Sequence, residues 1–179
     1  MIETSVLSRP VSVSEFPAAA IEIVAGEAER AALAAAYDLV SVKSLSASVT
    51  VAPAPEGGIA VDGRVVADFV QTCVVSLVPV DQHIDETFSV RFVRDAAKLP
   101  TPGAEIVVDP KAPDPPELLD GPTVDVGELA EEYFVLAIDP YPRAPGATLP
   151  ADIANADAPS GDSPFAALAE LAKPSGNKR

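Results

Sequence analysis

Two neighbouring stretches alternate between apolar and polar positions with opposite parity. In residues 59–79 the odd positions include Val61, Gly63, Val65, Ala67, Phe69, Cys73, Val75 and Leu77, whereas Asp62, Arg64, Asp68, Thr72 and Ser76 are even. In residues 84–93, Ile84, Glu86, Phe88, Val90 and Phe92 share one face, and Asp85, Thr87, Ser89 and Arg91 the other. A period of two marks half-buried strands. The two runs read as a long hairpin, 59–93, whose apolar faces must meet one core. A turn centred on Asp81-Gln82 satisfies that parity and pairs Cys73 with Val90 and Val75 with Phe88. The first run is long for one strand, so a bulge or break is expected near Phe69–Gln71. Residues 41–52 add another strand, with Leu45, Ala47, Val49 and Val51 opposite Ser44, Ser46, Ser48 and Thr50. Shorter strands are expected on either side of Phe16-Pro17.

The period then changes. AGEAERAALAAAYDL (25–39) is rich in helix formers, opens on Gly26 as N-cap, and sets Leu33 and Tyr37 four apart, which predicts a helix over about 27–37. Asp125, with Glu128 three residues on, has the form of a capping box. The helix it opens, about 126–138, carries an apolar stripe of Val126, Leu129, Ala130, Tyr133, Phe134 and Ala137. Glu128, Glu131 and Glu132 fall largely outside that stripe. Between them, 95–122 is rich in Pro and acid and reads as a loop with a short strand at Ile106–Val108. The resulting fold class is α+β: an antiparallel, partly barrel-like sheet packed by two helices, forming a domain over 1–142. Residues 143–179 read as a disordered Pro/Ala-rich tail. Within it SPFAALAEL (163–171) places Phe165, Leu168 and Leu171 at helical spacing. That peptide suits a docking motif or a terminal helix that touches its own domain.

Charge narrows the function. The chain carries 27 acidic and 12 basic residues, a formal net charge of −15 over 179 residues. Such a surface repels phosphate backbones and suits basic protein partners. One cysteine allows no internal disulfide. The first residues lack the basic and apolar regions of a signal peptide, and no apolar run approaches a membrane span. A cytoplasmic chain with no membrane association is the expectation.

Catalytic and metal chemistry find little support. In the predicted register His83 sits at the turn, about 20 Å along the strand from Cys73 at roughly 3.3 Å per residue. The two cannot form a nucleophile–base pair. Cys73 shares its face with Phe69, Val75 and Leu77, which reads as a small apolar core residue. One cysteine and one histidine make no thiolate zinc site. The acidic residues of 105–132 lack EF-hand spacing. There is no phosphate-binding glycine loop, GxSxG or HExxH. No enzyme activity, cofactor or metal is therefore expected.

The order of segments carries more. VDGRVVADFVQTCVVSLVPVDQHIDETFSVRF (61–92) opens a strand on Gly, follows its Cys with Leu-x-Pro, and ends on a strand containing Phe. ELLDGPTVDVGELAEEYFVLAIDPYPR (117–143) has an acidic lead-in, an Asp-containing turn, a Glu/Leu-rich helix and a closing Pro-Arg. Both resemble the signatures of the YceD family, the large ribosomal RNA subunit accumulation proteins. SPFAALAEL resembles the tail of alphaproteobacterial-type members, and the resemblance spans about 15–171. It implies a non-enzymatic role in the synthesis, processing or stability of large-subunit ribosomal RNA, in the bacterial cytoplasm or in plastids. Family genes often neighbour that of a small basic ribosomal protein. Many members carry a second Cys just after the first, and some a Cys cluster near the C-terminus, which suggests metal binding there. Here Val74, Val75 and Ser76 follow Cys73, and PYPRAPGAT holds no Cys, so a metal-independent function is implied.

Three mechanisms fit such a role. An acidic adapter would bind a basic ribosomal protein or a ribosomal RNA processing factor through Asp120, Asp125, Glu128, Glu131 and Glu132, and through Phe165, Leu168 and Leu171. A direct RNA binder would use Arg64, Arg91, Arg94 and Arg143. An enzyme of unrecognised class is the third. Charge ranks the adapter first and leaves the oligomeric state open.

Overall fold

The alternation across residues 41–93 becomes three long antiparallel strands. The computed structural model describes residues 5–99 and 114–149. The strands are β1 (Pro10–Ser12), β2 (Ile21–Val24), β3 (Ser41–Ala54), β4 (Gly58–Thr72), β5 (Pro79–Val93), β6 (Glu117–Leu118) and β7 (Thr123–Asp125). One sheet has the order β2-β3-β4-β5-β6, antiparallel except for β5 and β6, and β1 pairs with β7 beside it. The architecture is α+β as read, but the sheet is open and does not close into a barrel. Leu45, Ala47, Val49, Val61, Val65, Phe69, Phe88 and Val90 are buried on its inner face. Residues 106–108 and 163–171 lie outside the described residues. The chain divides into two compact units, Met1–Ala144 and Pro145–Arg179. All named elements belong to the first.

The hairpin register differs from the expected one. Val90 pairs with Val61, not Cys73, and Phe88 pairs with Gly63, not Val75. The parity is unchanged, so the apolar faces still coincide. The turn spans 73–78 instead of Asp81-Gln82: Cys73 N–H donates to Val78 O at 2.9 Å, and Leu77 takes the left-handed conformation with φ 60°. Cys73 organises this turn, because its Sγ accepts from the N–H groups of Val75 at 3.4 Å and Ser76 at 3.3 Å. The expected irregularity also moves to the partner strand. β3 slips by one residue between Val42 and Ser44, opposite Phe69 and Asp68 of β4.

Helices α1 (Glu27–Ala36) and α2 (Val126–Leu136) complete this unit. Gly26 N–H donates to Glu29 Oε2 at 2.8 Å, which fixes the start of α1. In α2, Val126, Leu129, Ala130 and Phe134 are buried. Phe134 meets Phe69 edge-on at 5.5 Å between ring centroids and Tyr37 at 6.4 Å. Phe88 stacks on Tyr133 at 4.5 Å. Gly63 makes that stack possible, since a Cβ there would lie 2.3 Å from Phe88 Cζ. The glycine that opens the strand motif is thus the seat of the phenylalanine paired with it.

The N-terminal segment straps across α2. Asp125 caps the helix by accepting from Gly127 and Glu128 N–H, both at 3.0 Å. Its carboxylate also accepts from Ser8 Oγ at 2.6 Å and Arg9 N–H at 2.6 Å. The strap thus supplies donors to the capping carboxylate itself, and it accepts one orphan donor of the first turn, since Val126 N–H donates to Arg9 O at 3.2 Å. Leu7 sits over Gly127 so closely that a Cβ on Gly127 would lie 1.6 Å from Leu7 O. Gly127→Ala is expected to unseat the strap and cost about 3 kcal/mol, the upper end for overpacking. Urea denaturation would measure it, and an unchanged midpoint would contradict this seating.

Candidate functional site

The solvent side of α2 forms a ridge between two grooves. Glu128 and Glu132 lie one turn apart and line both. Towards β6 and β7 the groove has a volume of about 240 Å³ and is also lined by Glu117 and Asp120. Towards α1 and the strap the groove is larger, about 660 Å³, and mostly apolar. Among the described residues none of Glu117, Asp120, Glu128 and Glu132 forms an ion pair. Burial raises the Glu117 pKa, and the neighbouring Glu132 raises it further. The Tyr133 phenol is also raised, first by burial and then by Glu132, Asp114 and Glu117.

This ridge gathers part of the predicted acidic set. Asp120, Glu128 and Glu132 are exposed on it. Asp125 is half-buried and serves the cap. Burial pushes its pKa up, but the donors from Ser8, Arg9, Glu128 and Gly127 outweigh that and hold it below the usual carboxylate range. Glu131 is not on the exposed face at all. It is 5 % exposed and accepts from Ser5 Oγ at 2.5 Å, Leu7 N–H at 2.9 Å and Tyr37 O–H at 2.6 Å. It joins the strap and α1 to α2, so it belongs to the interior. Glu117 was missed, because the acid-rich lead-in to β7 reads as loop until β6 brings it beside α2. Phe165, Leu168 and Leu171 lie outside the described residues.

The arginines do not converge. Arg64 lies on the outer face of the sheet, away from α2, in a two-pronged pair with Asp85. Arg91 is exposed further along the neighbouring strand, and Arg94 lies just past its end. Arg143 is exposed at the opposite end of the hairpin, where Val74 N–H donates to Pro142 O at 2.9 Å. The two ends are about 46 Å apart for fourteen residues of strand.

Cys73 is fully buried, but it is more than an apolar filler. Its Sγ also accepts from Ala144 N–H at 3.2 Å, which ties the segment after α2 to the turn. The Ser76 hydroxyl and the N–H groups of Ala144, Ser76 and Val75 favour the thiolate and outweigh burial, bringing the pKa to about 6. His83 is exposed in the middle of β5, not at a turn, and its Nδ1 lies 2.8 Å from Asp68 Oδ1. It remains remote from Cys73 along the hairpin. Among the described residues no group of three His, Cys, Asp or Glu could hold a metal ion.

A family model described as large ribosomal RNA subunit accumulation protein YceD matches residues 61–172. The chain belongs to the YceD family. No curated protein and no solved structure gives a match. Membership carries a role in the accumulation of large-subunit ribosomal RNA, and the family description names no reaction. The YceD match takes in most of β4 and all of β5 and α2, and hence the acidic ridge. The thiolate metal site suggested for some YceD members does not fit this chain. Cys73 is the single cysteine of the sequence, and the groups around its Sγ, the Ser76 hydroxyl and the N–H groups of Val75, Ser76 and Ala144, donate hydrogen bonds to it. No helix among the described residues is long and apolar enough to cross a membrane.

Cys73 gives a pH test. A thiol lowered from an ordinary pKa of about 8.5 to about 6 contributes its full stabilisation above the ordinary value. That contribution is lost as pH falls through the folded value. The denaturation midpoint is expected to rise between pH 6 and about 8.5 in the native sequence and to stay flat there in Cys73→Ala. Parallel profiles for the two proteins would show that the turn does not stabilise a thiolate.

Proposed function

We propose that this YceD protein supports accumulation of large-subunit ribosomal RNA as an acidic adapter that captures a basic ribosomal protein. The observation that carries the reading is the concentration of Glu117, Asp120, Glu128 and Glu132 on one ridge with no ion pair among the described residues. Unpaired carboxylates around a groove attract Lys and Arg, steer encounter and repel nucleic acid. The same charge would keep a basic ribosomal protein from binding RNA before its place in the subunit is ready. The peptide 163–171 is a second candidate contact, through Phe165, Leu168 and Leu171.

Direct RNA binding is the competing reading. It would draw on Arg64, Arg91, Arg94 and Arg143, which are spread over the outer face and both ends of the hairpin. The double variant Glu128→Lys/Glu132→Lys is expected to weaken capture of basic ribosomal proteins about tenfold, chiefly by slowing association. Ribosomal RNA should not bind the native chain at physiological salt. Unchanged capture would remove α2 from the site. Tight binding of ribosomal RNA by the purified chain, lost steeply as salt rises, would replace the adapter with an RNA binder.

A further inference from the structure

The apolar lining of the larger groove has no part in that reading, in which the ridge contributes charge alone. It lies between the strap, the last turn of α1 and α2. Val6, Ala36, Tyr37, Val135 and Leu136 line it, and Leu136 is 71 % exposed. Glu131 also reaches this groove, but both its oxygens are already held by Ser5, Leu7 and Tyr37. Glu128 and Glu132 stand on its rim. Among the described residues no lysine or arginine lines either groove.

An apolar recess with an anionic rim is selective about its occupant. A neutral apolar segment would strip water from Glu128 and Glu132 without replacing it. A second copy of this chain, related by a twofold axis, would set those carboxylates against their own likeness. A cationic segment with one large apolar side chain meets both demands. The side chain fills the recess, and Lys or Arg about one turn away reaches the rim.

We propose that the recess receives a large apolar side chain from a Lys/Arg-rich segment of the partner protein. The inference rests on the adapter reading and adds what charge cannot supply. Carboxylates alone accept any polycation, whereas an anchor in a recess fixes position and register along the segment.

The test compares two synthetic peptides on the full chain: a lysine-rich peptide with one central leucine, and the same peptide with serine in its place. The leucine peptide is expected to bind about tenfold more tightly, the scale of burying one large apolar side chain. Ala36 is exposed at the end of α1, so Ala36→Trp fills the recess from outside the rim. It should erase the leucine preference and leave the serine peptide's affinity unchanged. Val135→Ala widens the recess and should reduce the same preference, which covers the case of an Ala36→Trp chain that does not fold. Equal affinity of the two peptides for the native chain overturns the anchor and leaves the adapter standing. Binding of neither peptide sinks both. A concentration-dependent dimer that Ala36→Trp abolishes would also overturn the anchor, by giving the recess to a second copy.

Discussion

The seat of Phe134 between Phe69 and Tyr37 is the contact on which the first unit depends. The sheet's inner face is mostly valine, alanine and leucine, and aromatics make up only 5 % of the chain. One ring therefore joins α2 to β4 and α1 together. Removing a buried phenylalanine of this kind costs about 3–5 kcal/mol, a large share of the stability of a domain this size. Fixing Phe134 inward also fixes every other side chain of the helix. At 3.6 residues per turn, Glu131 lies about 60° round from Phe134, and Glu128 and Glu132 about 120° and 160° round. Glu131 must then face the strap and α1, and the other two must face solvent. The position of the ridge follows from the core.

That angle explains why the acidic face was only partly legible. The stripe of α2, the parity of the strands and the cap at Asp125 follow from local spacing, and all are present in the structure. Glu131 differs because its partners, Ser5, Leu7 and Tyr37, are more than ninety residues away in the chain. Within α2 the helical angle sets Glu131 nearer the apolar stripe than Glu128 or Glu132, but the groups that hold its charge there all come from outside the helix. Gly127 is similar: its lack of a Cβ has meaning only once Leu7 lies over it. Glu117 joins the ridge only because β6 pairs with Phe92 and Val93.

The misplaced turn has a different cause. Residues 79–82, Pro-Val-Asp-Gln, look like turn chemistry, while 73–78 hold no Gly, Asn or Asp. The true turn is built by a sulfur atom accepting backbone donors and by a leucine in the left-handed region. Leu77 accepts that conformation because the closing bonds at Cys73 hold it there. Such strain is invisible to a composition rule. It also changes what Cys73 does: the thiol orders the hairpin end and holds Ala144, so it works as an acceptor as well as a packing atom.

The carboxylates divide into those the fold uses and those it leaves. Glu29 is lowered in pKa by Gly26 N–H and Arg9, Asp68 by His83 and Ser44, and Asp85 by Arg64. Asp125 is lowered despite its burial. Each stabilises the fold above its unfolded pKa, and that stabilisation fades as pH falls through the folded one. Glu117 has the opposite sign. Burial and Glu132 raise it, so its charge opposes folding at neutral pH, and protonation would relieve it. A cation at the ridge would relieve it too. Glu117 is thus a position where the fold gains nothing from a negative charge, and under the proposed adapter reading a basic partner would offset that cost.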